Sequence, residues 1–146
     1  AIVVLMFGAA VLWRIVRQPV VATSTSEAEY MALSDAAREL LYLHGFTDEL
    51  GIAELKFKLP LTVHTDNDGA YKMAHEGADT TRTHHMHRRW HFVRELVREE
   101  YHATDKPLLA IRLIAGTANW ADGLTKGLAK TLNKVSNARM GLYNIN

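Results

Sequence analysis

The chain has 146 residues, 48% of them hydrophobic, enough for one domain with a core of its own. Its formal net charge is +1, so any nucleic-acid contact must come from a local patch and not from bulk charge. Cysteine is absent, which excludes disulfides, thiolate zinc sites and cysteine catalysis.

The opening AIVVLMFGAAVLW carries no charge before Arg14. It is too short to span a bilayer and lacks the basic leader of a signal peptide. Residues 1–7 and 10–17, split by Gly8, read as a β-hairpin, with a helix as the alternative for so continuous an apolar run. Chain termini usually lie in polar surface segments, so a start at Ala1 inside this run implies a fragment of something longer. Gln18-Pro19 ends the hairpin. Ser24 and Glu27 have capping-box spacing, which predicts a helix from about Thr25 to Leu50, stopped by Gly51. LPLTVHTD, residues 59–66, reads as a strand feeding a turn at Asp66-Asn67-Asp68-Gly69. A short helix over 69–76 and a polar loop from Gly77 to Thr83 follow. Residues 84–102 have helical periodicity, with Met86, Trp90, Val93 and Val97 on one face. PLLAIRLIA, residues 107–115, is the last strand, and a helix is predicted from about Ala118 to Ala129. Residues 131–146 read as a peripheral tail beyond a single domain over 1–130. The order β-β-α-β-α-α-β-α predicts an α/β fold, a sheet with helices packed against it.

Three acids stand out in this frame. From Glu29, helical steps reach Leu33, Ala36, Leu40 and Leu43, an apolar stripe, so Glu29 heads the face that packs on the sheet. Glu27 steps to Met31, Ser34 and Arg38, a mostly polar face, and already has a capping role. Asp66 ends a strand, where ligands bind in α/β sheets. Asp122 falls in the first turns of the last helix. Each position is also an ordinary one for an acid: a first helical turn favoured by the dipole, or a turn. Together they match the several oxygen ligands that a hard divalent cation needs.

His84, His87, His91, Arg94 and Arg98 share one helical face, and Arg82, Arg88 and Arg89 add to a basic patch suited to phosphate. A plain solvated face is the bland alternative. Zinc is a third reading, since His87 and His91 lie at i, i+4 with Glu95 nearby, although no fourth ligand supports it. His64, His75 and His102 read as isolated, ordinary residues, and Trp13 and Trp120 as core or rim packing.

The segments QPVVATSTSEAEYMALSDAARELLYL, LTVHTDNDGAYKMA, RTHHMHRRWHFVRELV and ANWADGLTKGL resemble the ribonuclease H domain of copia-class long-terminal-repeat retrotransposons, which follows the reverse transcriptase in the polyprotein. The likeness runs from about Val11 to Leu128. It implies a ribonuclease H-like mixed sheet flanked by helices, here without its first, central strand and the aspartate which that strand carries. It also implies hydrolysis of the RNA strand of RNA–DNA hybrids at a two-metal magnesium or manganese site. Glu29, Asp66 and Asp122 are the metal-ligand positions that match. The family's KHID reads HHMH here, with His84 for the lysine and His87 for the aspartate. Implied partners are the hybrid and the reverse transcriptase domain of the same polyprotein, within the cell in a cytoplasmic virus-like particle or the nucleus, with no membrane. With one ligand absent, weak or no activity is expected of this fragment, together with self-association through an exposed sheet edge. The competing reading is a catalytically dead remnant or a non-catalytic nucleic-acid-binding module.

Overall fold

The computed structural model describes residues 1–18, 21–76, 86–98, 106–125, 134–135, 137–138 and 140–141. Strands β1 (Ile2–Met6) and β2 (Ala9–Arg14) form the predicted antiparallel hairpin. Its turn is Phe7-Gly8, with φ of 54° and 82°. Two left-handed residues in succession make the turn whose twist matches that of the strands. The register shifts between Val4 and Leu5, which face Leu12 and Ala10, so Val11 is the extra residue of a bulge. On β2 the outward row is exposed, and Trp13 keeps 60% of its surface in solvent. That corrects the packed role read for Trp13: β2 is an outer strand, and only its alternate residues turn inward.

Helix α1 (Thr25–Leu50) begins and ends as its sequence predicts. Ser24 Oγ accepts from the Glu27 amide at 3.2 Å, and the Glu27 carboxylate accepts from the Thr23 amide and hydroxyl, both at 2.7 Å. Gly51, with φ 65°, closes the helix in the left-handed region and donates to the Asp48 carbonyl. The face assigned to Glu27, however, is not polar in its surroundings. Glu27, Met31 and Ser34 are 6%, 1% and 0% exposed. The reason is that helix α2 (Asp68–His75) and helix α3 (His87–Val97) pack on that side while β1 and β3 pack on the other. Tyr30 Oη donates to the Trp90 carbonyl at 3.3 Å and Arg89 Nη1 to the Met31 carbonyl at 3.2 Å, fastening α3 to α1.

Strand β3 (Leu61–Thr65) pairs in parallel with β4 (Leu109–Leu113), Leu61 against Leu109 through Thr65 against Leu113. A parallel pair needs a crossover, and α2 and α3 lie within it. Leu61, Val63 and Thr65 alternate inward, joining Leu33, Trp90, Val93 and Ile111 in or against the core. After β4, the predicted helix from Ala118 is divided. A 3₁₀ turn (Gly116–Ala118) comes first, then extended Asn119, then helix α4 (Asp122–Thr125). Asn119 is the cause: its side-chain oxygen accepts from the Ala121 amide at 3.2 Å, an Asx turn that interrupts the helix.

The molecule is thus a mixed α/β fold, compatible with a ribonuclease H-like arrangement, and among the described residues its strands form two two-stranded sheets. Between β1 and β3 lies a cavity of about 680 Å³. It meets consecutive residues of both strands, Ile2 to Leu5 and Leu61 to Thr65, and none of β2 or β4. Successive residues alternate between the faces of a strand, so a space touching every residue borders its edge. The cavity is therefore a slot, floored by α1, between two strand edges that have no strand partner among the described residues.

Candidate acidic site at the slot

The apolar stripe read from Glu29 is the floor of this slot. Glu29, Ala32, Leu33, Ala36 and Leu40 all line it, and Glu29 is half-buried at its head. Asp66 follows Thr65, the last residue of β3, which also lines the slot. Asp122 follows Ala121, another lining residue. Of these three acids, far apart in sequence, Glu29 lines the cavity itself, while Asp66 and Asp122 each follow a residue that does.

Asn119 ties two of them together. Its Nδ2 donates to Asp66 Oδ1 at 3.1 Å, and its backbone carbonyl accepts from the Asp122 amide at 3.3 Å. Asp66 is further enclosed by Gly116, where a Cβ would stand 3.3 Å from Asp66 Oδ2. The Ile114 amide donates to the Thr65 carbonyl at 2.9 Å, pinning the loop to the end of β3. Sequence reasoning did not single out Asn119. The only signal for it was an amide three residues before an acid, which is ordinary capping spacing. Among the described residues, no three of His, Cys, Asp and Glu converge as a ready coordination group.

The basic helix is less open than its sequence implies. Arg82 and His84 lie outside the described residues, as does His102. His87, Arg88 and His91 are exposed. Arg89 turns inward, pairing with Asp35 as well as the Met31 carbonyl. Arg94 lies over the Trp90 ring, 4.4 Å from its centroid, and Arg98 is half-buried at the helix end. His64 and His75 are exposed, and Trp120 is half-buried at the slot wall.

The chain is similar to the retrovirus-related Pol polyprotein from transposon TNT 1-94 of Nicotiana tabacum. The two are 29% identical over 136 residues, which is 93% of this chain and 9% of that polyprotein. The chain therefore spans about a tenth of the length of the relative it matches. No family model matches the chain, and no solved structure matches it. Among the described residues, no helix is long and apolar enough to cross a membrane.

Proposed function

We propose that this chain is the ribonuclease H segment of a copia-class retrotransposon polyprotein, cutting the RNA strand of RNA–DNA hybrids. The observation that carries this reading is the slot itself. Asp66 at the end of β3 is joined through Asn119 to Asp122, and both stand beside a cavity whose floor is headed by Glu29. The donor set is all carboxylate oxygen, the class that magnesium and manganese take. Glu29, Asp66 and Asp122 would hold the ions, with Asn119 fixing the rotamer of Asp66. A divalent pair, when bound, supplies an activated water and neutralises charge on the leaving oxygen. His87, Arg88 and His91 remain exposed to meet phosphate, and the hybrid is held by backbone and 2′-hydroxyl contacts.

The resemblance implies a fourth carboxylate, on a strand preceding β1 in the polyprotein. The edges of β1 and β3 offer such a strand hydrogen-bonding partners on both sides. With that strand present, Asp66→Asn should reduce magnesium-dependent cleavage of a labelled RNA–DNA hybrid to background and leave hybrid binding nearly intact. Comparable cleavage by the variant would remove Asp66 from the mechanism. The 146-residue chain alone should cleave little or not at all.

One observation favours the second reading, a catalytically dead remnant or a non-catalytic nucleic-acid-binding module: among the described residues, no three of His, Cys, Asp and Glu gather as a metal-holding group. Hybrid binding without cleavage, in a polyprotein segment that carries the preceding strand and its aspartate, would establish it.

A further inference from the structure

Away from the slot, α3 presents a pair of nitrogen donors. His87 and His91 are one helical turn apart, and both are exposed. Residues at this spacing stack on one face of a helix. Here their Nε2 atoms stand 3.1 Å apart, with ring centroids separated by 4.2 Å and ring planes inclined at 65°. Two ligands on one ion, each at about 2.0–2.1 Å from it, sit roughly 2.9 Å apart at a right angle and about 3.3 Å apart in a tetrahedron, which brackets the separation of these two nitrogens. The His91 ring is steadied by Trp90, edge-on at 4.7 Å, and Trp90 is anchored by its Nε1 donating to the Met73 carbonyl at 3.1 Å. Part of the ordering cost of a chelate is therefore already met by the fold.

We propose that His87 and His91 form a two-nitrogen chelate for one borderline divalent ion of the zinc, nickel and copper class. Neutral imidazole suits those metals, whereas magnesium takes oxygen ligands, so this site differs in chemistry from the carboxylates at the slot. Structural zinc sites are closed by four protein ligands. Among the described residues, no three of His, Cys, Asp and Glu gather around this pair. Arg88 and Arg94 on the same helix oppose a cation, which keeps the affinity modest. Arg94 is held over Trp90 and does not extend freely toward the pair.

Calorimetric titration with copper, nickel and zinc, each metal alone, tests the site in the wild-type chain and in His87→Gln and His91→Gln. Copper should bind tightest, in the order general for nitrogen sites. Either substitution should weaken binding by at least the roughly tenfold that loss of an outer-shell partner costs. Both side chains are exposed, so neither change removes core packing. The copper-loaded wild-type chain gives a second readout, independent of the variants: electron paramagnetic resonance should show coupling to two imidazole nitrogens. Nickel should also raise the melting temperature of the wild-type chain and not that of the variants. Unchanged binding in both variants, coupling to a single nitrogen, or no binding at millimolar copper would each overturn the assignment.

Discussion

Asn119 is the residue through which the acidic wall is organised, because it reaches Asp66 with its side chain and Asp122 with its backbone. Acting on a ligand and not on substrate, it is a positioning residue. In a polyprotein segment that carries the preceding strand, Asn119→Ala should lower hybrid cleavage by about 10–100-fold and move the magnesium dependence to higher concentration. A loss of rate with an unmoved magnesium curve would assign it a merely structural role. Glu27 shows a different residue-level lesson. Its capping role is legible from the Ser24 spacing, but its burial is not, since only the packing of α2 and α3 removes it from water. Glu27→Ala leaves the Thr23 amide and hydroxyl without their acceptor and should cost about 1–3 kcal/mol in urea unfolding. Tyr30, fully buried, has its hydroxyl pKa pushed up by desolvation. The folded state thus favours neutral Tyr30 more than the unfolded state does. Its contribution is complete below the ordinary tyrosine range and is lost as pH rises through that range toward the folded value. Tyr30→Phe should flatten the alkaline fall in stability, measured by urea melts across pH. At neutral pH it should lose about 0.5–1.5 kcal/mol with the hydrogen bond to Trp90.

Among the elements, the hairpin and α1 follow local signals closely, while the turn geometry and the close approaches do not. Gly8 marks the break between β1 and β2, but the positive φ of Phe7 follows from pairing Met6 directly with Ala9 across two residues. Phe7 is 76% exposed and holds the turn in a conformation that Asn tolerates better. Phe7→Asn should stabilise the chain by about 0.5–1 kcal/mol, visible as a higher urea midpoint at unchanged slope. Gly69 lies in the first turn of α2, where propensity alone favours alanine. A Cβ there would stand 2.8 Å from Ser26 Cβ and closer still to its hydroxyl, because α2 starts against α1. Gly69→Ala should therefore destabilise by about 1–3 kcal/mol, and Ser26→Gly in the same chain should recover part of it.

At the scale of the whole molecule, the slot lies between the two sheets, and among the described residues the facing edges of β1 and β3 have no strand partner. Unpaired edges flanked by apolar side chains are templates for another chain. The 146-residue chain should accordingly associate as its concentration rises, as seen by light scattering. Leu5→Lys, placed where the slot meets solvent, should suppress that association. A wild-type chain that stays monomeric over a wide concentration range, with one cooperative melt, would contradict this account.

The sequence by itself determined the order of the described elements, the ends of α1 and the stripe headed by Glu29. Each rests on local physics, namely capping, helical period and turn chemistry, whereas the choice of Asp122 as a ligand position rests on the resemblance. Tertiary structure alone decided that β1 and β3 flank a gap, that Glu27 is buried on a second packed face of α1, and that Trp13 is exposed. It also decided that Arg89 is taken up by Asp35, and that Asn119 joins two acids lying on different elements. These depend on which surfaces meet across more than 50 residues of chain, as Asp66 and Asn119 do, and periodicity within one element carries no record of that meeting.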